Sequence, residues 1–189
     1  LQNAISDLNK TVLLDDLNKM KNLKYLILSD LTRYGGKSWK SFLRAYFHFP
    51  GFRVSFWFRV ASHYRRNPLY FFILRHYHYK YGIELPKGTK VGEGFYIGHF
   101  GGIIISGGAV IGRNCNISQG VTIGVAGRGE KRGIPIIGDG VYIGPGAKVI
   151  GKIYVGNNVA IGANAVVTKD VPDNAVVGGI PAKIMSMNG

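Results

Sequence analysis

A six-residue repeat runs through residues 85–172 and decides what this chain can become. Leu85, Val91, Ile97, Ile105, Ile111, Ile117, Ile123, Ile137, Ile143, Val149, Val155, Ile161 and Val167 hold its key position, and all thirteen are aliphatic. The step is six residues except after Ile97 and after Ile123, where two and eight extra residues are inserted. Six residues are too few for a helical repeat but enough for one short strand and one corner, so the pattern predicts a parallel β-helix. Asn114, Gly140, Gly146, Asn158 and Asn164 fall three places after the key residue. Asn and Gly tolerate positive φ, so the corners belong there. One place further on stand Ala109, Cys115, Val121, Val141, Ala147, Ile153, Val159 and Ala165, all small or aliphatic. Two inward side chains per unit fill a narrow triangular core, with three units to a coil. The repeat itself does not fix the handedness.

The remainder is organised around that stack. Residues 1–19 read as a polar lead-in, with Met20-Lys21 a more natural start. Residues 20–82 read as a basic, aromatic, α-helical region. Residues 83–172 form the β-helix, with a protruding loop at 125–136, and residues 173–189 a C-terminal tail. Trp39, Phe42, Leu43, Tyr46 and Phe47 lie at helical spacing on one apolar face, with Ser38 as N-cap and Pro50-Gly51 as terminator. A further helix is expected over 52–66, and another after Pro68, where Leu69, Phe72, Ile73, His76 and Tyr77 repeat the spacing.

Charge is uneven. The net formal charge is +14, of which +11 falls in residues 1–90 and +3 in 91–189. Such a basic half suits a polyanionic partner. Fifteen of the 23 aromatic residues lie between 42 and 81, interleaved with Arg44, Arg53, Arg59, Arg65, Arg66, Arg75 and Lys80. Two readings stay open: aromatics packed on the β-helix end with the arginines solvated, or a surface lying on an anionic membrane. No nucleic-acid fold signature accompanies the charge, so nucleic acid is not expected. Secretory-signal and membrane-span patterns are missing from the sequence, which points to the cytoplasm, with peripheral contact at the inner membrane surface as the second reading. The single cysteine, Cys115, sits at an inward repeat position and reads as a small buried hydrophobe.

Chemistry in a solenoid concentrates at its irregularities. The first insertion follows His99, in Ile97-Gly98-His99-Phe100-Gly101-Gly102, and Glu84 stands fifteen residues before that histidine. Neighbouring coils of about eighteen residues would bring the two nearly above one another, about 4.8 Å apart. A carboxylate there orients an imidazole that acts as general base. His48, His63, His76 and His78 have no partner at dyad or metal spacing and read as structural or surface residues. No metal is expected.

With these residues in place, 84–184 resembles the catalytic domain of serine acetyltransferases, in the hexapeptide-repeat (left-handed β-helix) acyltransferase superfamily. Gly98-His99-Phe100-Gly101-Gly102-Ile103 stands where that family carries Asp-His-Ala-Thr-Gly-Ile. Gln119-Gly120-Val121-Thr122-Ile123-Gly124 stands at its Gln-Ser-Val-Thr-Leu-Gly. Gly146-Ala147-Lys148 and Gly179-Ile180-Pro181-Ala182-Lys183-Ile184 match its later rungs and tail. The resemblance implies a left-handed β-helix, acetyl-CoA as cosubstrate, and a homotrimer with sites between subunits. It puts His99 on the catalytic base and Glu84 on its carboxylate partner. It puts Gly124, Gly144, Ala147, Lys148, Ala165 and Lys183 on the acetyl-CoA side, and Phe100, Gln119, Arg132 and Ile134 on the acceptor side.

Departures from the pattern set the expected acceptor. Gly133-Ile134-Pro135 replaces an Arg-His-Pro that engages the amino acid, and Glu84-Leu85-Pro86-Lys87 replaces Asp-Ile-His-Pro. The long acidic amino-terminal domain of the family is replaced by a short basic one. The expectation is therefore an acetyl-CoA-dependent O-acetyltransferase acting on a sugar or polysaccharide-precursor hydroxyl. Serine O-acetylation, with Arg132 holding the carboxylate, is the second reading, and a non-catalytic trimeric scaffold the third.

Overall fold

A computed structural model describes residues 22–188; the lead-in expected at 1–19 and the start expected at Met20-Lys21 lie outside the described residues. From Ile83 onward the chain winds as a left-handed parallel β-helix whose short strands stack into sheets of five, four and six strands. All thirteen key residues are buried, as are the eight inward residues four places on. Asn114, Asn158 and Asn164 take φ of 55°, 54° and 57°, and Gly140 and Gly146 take 68° and 73°, so the expected corners turn where the sequence places them. At Gly146 a Cβ would also strike the side-chain oxygen of Asn164 on the next coil. Glycine at that corner is therefore required by space as well as by φ.

The insertions leave the core in register. Ile83 lies beside Ile103, twenty residues on. Ile104 lies beside Thr122, eighteen on, and Thr122 beside Lys148, twenty-six on. Both insertions are absorbed as excursions at corners, where extra backbone meets water, while inward residues continue to stack on inward residues. The stack also runs past residue 172. Val176–Gly178 pairs with Ala160–Ile161, and Val171, Ala175 and Val177 are buried. Asn174, at φ 60°, supplies one more corner, so the boundary expected at 172 falls inside the stack. Lys183–Ser186 then returns antiparallel on Val176–Gly178 and covers the last open edge of that sheet.

Among the described residues four helices precede the coil: α1 Leu23–Thr32, α2 Trp39–His48, α3 Pro50–His63 and α4 Pro68–Tyr81. Ser38 caps α2 by accepting from the Ser41 amide, as its position predicts. Pro50 opens α3 rather than merely ending α2, because its fixed φ suits the first helical turn. Gly82 closes α4 in the left-handed conformation.

The helices are locked to the first coil by a buried ion pair. Arg59 donates from Nε and Nη2 to the two carboxylate oxygens of Asp30, at 2.9 and 3.0 Å. Its guanidinium also donates to the Val91 and Gly92 carbonyls of the β-helix. Asp30 accepts further bonds from the Phe95 amide (2.9 Å) and the Ser55 hydroxyl. Arg53 donates to the Tyr46 and Phe47 carbonyls and the Tyr81 hydroxyl, and Arg44 to the Tyr34 carbonyl. Three of the interleaved arginines are therefore internal ties, and the expectation that they are all solvated is corrected. Their heads satisfy carbonyls that the helix ends and corners leave without partners. At Gly51 the approach is close: a Cβ would lie 2.8 Å from the Ile97 Cβ and collide with its carbonyl.

Candidate active site

The two-residue insertion lifts 98–102 away from the core, so His99 and Phe100 are exposed at the corner between two faces of the prism. The Phe100 ring lies 5.8 Å from that of Tyr81, which anchors the excursion to the end of α4. Below it the same corner is bare of side chains. A Cβ on Gly102 would sit 3.4 Å from the Gly120 Cα, and one on Gly120 3.3 Å from the Gly146 Cα. These glycines form a column, held by Gly120 N–H donating to Gly101 O and Gly146 N–H to Gln119 O, both at 2.8 Å.

Two polar side chains border the column. Lys148 donates from Nζ to the Gly120 carbonyl. Gln119 buries its side-chain oxygen with no hydrogen-bond partner, the only such side-chain atom among the described residues. A buried acceptor without a donor costs on the order of 1–3 kcal/mol. Gln119 stands one coil on from His99, in the register that sets Ile97 beside Ile117.

Glu84 is not stacked beside His99. Its register partner is Ile104, five residues beyond the histidine, because the insertion lengthens this coil to twenty residues. Among the described residues no hydrogen bond or ion pair joins the two side chains, and the expected placement one above the other is corrected. Glu84 instead faces a cleft of about 570 Å³ between α4 and the first two rungs, lined also by Leu74, His78, Gly102 and Ile104. Burial lowers the His78 pKa to about 4, so its ring is neutral near pH 7. The Leu85 amide donates to its Nε2 at 3.4 Å, which makes His78 a structural residue, in line with its reading from sequence.

The other expected site residues divide between two corners. Gly144, Ala147 and Ala165 share the corner of Gln119. The methyl groups of Ala147 and Ala165 point into the core, however, so their side chains do not line an outer groove. Their amides make 3.2 Å turn bonds to Gly144 and Gly162. Gly124 lies half-buried on the outer face beside Ile150, and Lys183 is exposed on the returning strand. Arg132 and Ile134 belong to the loop 125–136, at the next corner, on the far edge of the sheet that holds Glu84. That loop is a short hairpin, with Ala126 and Gly133 exchanging bonds of 2.9 and 3.0 Å. Lys152 N–H donates to Lys131 O at 2.8 Å and Lys131 Nζ lies 3.9 Å from Asp170, so the loop is tied to its own coil rather than left free. Arg132 remains exposed, while Ile134 packs against the core. Within one chain, the residues expected on the acceptor side do not meet.

Comparison with known proteins places these features. The bacterial transferase hexapeptide family (six repeats) matches residues 134–169. A serine acetyltransferase of Synechococcus elongatus is 38% identical over 144 residues, covering 75% of this chain and 59% of that protein. A serine acetyltransferase of Bacillus pumilus is 35% identical over 153 residues, covering 79% and 70%. Among solved structures, serine acetyltransferase of Brucella abortus in complex with coenzyme A superposes with a TM-score of 0.75 at 28% identity, covering 87% of this chain and 68% of that one. The chain thus spans about three-fifths of the length of the Synechococcus relative. These relatives are named for serine. The expectation of a sugar or polysaccharide-precursor acceptor, which rested on Gly133-Ile134-Pro135, on Glu84-Leu85-Pro86-Lys87 and on the short basic helical region, is overturned by relatives that are named serine acetyltransferases and match most of this chain.

Proposed function

The chain belongs to the serine acetyltransferase family of hexapeptide-repeat proteins, and from that premise we propose that it transfers the acetyl group of acetyl-CoA to the hydroxyl of serine, with His99 as general base. The observation that carries this is the exposed imidazole on the excursion after Ile97, at the head of a corner stripped of side chains. A column of Gly102, Gly120 and Gly146 gives a thin chain such as the pantetheine arm room to approach the backbone. Lys148, beside it, supplies positive charge on the acetyl-CoA side.

The reaction is a direct transfer. His99 takes the proton of the serine hydroxyl as the oxygen attacks the thioester carbonyl. The C–O bond forms, the C–S bond breaks, and the proton passes from His99 to the departing CoA thiolate. An amide at Gly101 or Gly102 stabilises the oxyanion; the Gly120 amide is already engaged with Gly101 O. Glu84, on the rung beside the Gly101-Gly102 turn, is the carboxylate that would steady the imidazolium once substrates draw the two side chains together. Arg132 meets the carboxylate of serine.

Arg132 and His99 lie on different corners, so we also propose a homotrimer, in which the 125–136 hairpin of one copy closes the His99 corner of the next. Ile104, Val125 and Tyr142, exposed on the outer faces, support such contacts. The test is product identity. Acetyl-CoA and L-serine should yield O-acetylserine, read by mass, at a rate that depends on serine. CoA release that ignores serine contradicts the reading.

A further inference from the structure

Helix α2 carries an apolar arc wider than its contact with α3. Its inner side docks on α3: the Phe42 ring lies 5.8 Å from Phe52 and 5.6 Å from Phe56, and Tyr46 lies 5.7 Å from Phe56. Ala45 is fully buried beneath them. That contact uses up the packing role of the helix. Yet Trp39, Leu43 and Phe47, spaced four residues apart on the adjoining side, are 70%, 38% and 66% exposed, with Trp39 stacked on Phe42 at the boundary between the two. Lys37 and Lys40 flank this stripe and are exposed, as is Arg44, whose guanidinium also reaches the Tyr34 carbonyl. Across residues 22–82 there are eleven Lys and Arg but a single acidic residue, Asp30, and that one is buried against Arg59. The outer face of the helical region therefore presents an aromatic-aliphatic row set in positive charge, with no exposed carboxylate among residues 22–82 to offset it.

Water disfavours a row of this kind, while a bilayer interface accommodates both of its parts. Large apolar side chains enter the headgroup–acyl boundary, and lysine and arginine remain among the phosphates. A second copy of the chain is the poorer occupant, because it would bring Lys37, Lys40 and Arg44 against their own like charges. We propose that the outer stripe of α2, Trp39-Leu43-Phe47 with Lys37, Lys40 and Arg44, is a docking surface for an anionic lipid bilayer. It holds the protein peripherally on the membrane. No described helix is long and apolar enough to cross one. The proposal is independent of the acetyl acceptor.

The experiment is cosedimentation of the full chain with vesicles of phosphatidylcholine alone or mixed with phosphatidylglycerol. Partition onto the anionic vesicles should exceed that onto neutral ones by at least tenfold and fall as salt is raised. Each basic side chain near an anionic surface strengthens partition about fivefold, so K37Q/K40Q should weaken it more than tenfold. Trp39→Ser with Phe47→Ser should weaken it as much at every salt concentration, and its unchanged circular dichroism would show that these exposed sites leave the fold intact. Equal partition onto both vesicle types, no sedimentation with either, or variants that bind like the parent would overturn the proposal. So would a Trp39/Phe47 variant that loses oligomeric state in the absence of lipid, since the stripe would then be a contact between copies.

Discussion

The joint between the helices and the β-helix rests on Asp30, and replacing it by alanine isolates that joint. In the parent, the carboxylate accepts from Arg59 Nε and Nη2, the Phe95 amide and the Ser55 hydroxyl. Both ionic partners are almost fully buried. Asp30→Ala leaves the Arg59 cation with only the Val91 and Gly92 carbonyls as acceptors, and removing one partner of a buried pair costs about 3–5 kcal/mol. The orphaned Phe95 amide and Ser55 hydroxyl add desolvation penalties of about 1–3 kcal/mol each where water does not reach them. These terms overlap, so the expected loss is about 4–5 kcal/mol, a large part of a typical domain stability of about 5–15 kcal/mol. Asp30→Leu combined with Arg59→Met should recover more than half of it, because no unpaired charge is then left behind. The assay is denaturant unfolding followed by helical circular dichroism, with the helical transition moving to lower denaturant than that of the β-helix. A single substitution costing under about 1 kcal/mol, or a double substitution as damaging as Asp30→Ala, refutes the reasoning.

Other expectations follow from single contacts. His78 has a folded pKa of about 4 against an ordinary 6.5, so its neutral form stabilises the fold fully above pH 6.5 and that contribution is lost as pH falls towards 4. Discounted for partial exposure, the loss is on the order of 2 kcal/mol, and His78→Leu should flatten that stretch of the stability–pH curve. The Cys115 thiol, pushed up to about 12 by burial, should resist thiol reagents in the native protein and react once per chain after unfolding. Gly51→Ala, which drives a methyl into the Ile97 backbone, should cost about 1–3 kcal/mol by thermal unfolding while the β-helix persists.

The β-helix was legible in the sequence because its determinant is local. Each six-residue unit carries its own inward aliphatic and its own Gly or Asn corner, and a coil is built by repeating them. Contacts between distant segments had no such signature. Nothing near Asp30 or Arg59 announces that they meet, and the pairing follows only when α1 and α3 are laid on the first coil. The apolar face read over Trp39 to Phe47 is divided by the structure: a helix turns about 100° per residue, so Phe42 and Tyr46 face α3 while Leu43 and Phe47 face solvent. The offset of Glu84 from His99 was within reach, since the insertion after Ile97 already lengthens that coil. The acceptor was misread for a different reason. Local departures, at Gly133-Ile134-Pro135, at Glu84-Leu85-Pro86-Lys87 and in the short basic helical region, were weighed against a long matched coil, and charge recognition can be supplied from Arg132 or from another subunit.

The most direct test of the account is the rate of serine-dependent CoA release by the parent and by His99→Ala at saturating acetyl-CoA. A general base contributes about 10²–10⁴-fold. His99→Ala, with unchanged circular dichroism, should therefore fall by at least about 10² in kcat. A folded His99→Ala protein that keeps a near-parental kcat would contradict the assignment of the reaction to this corner.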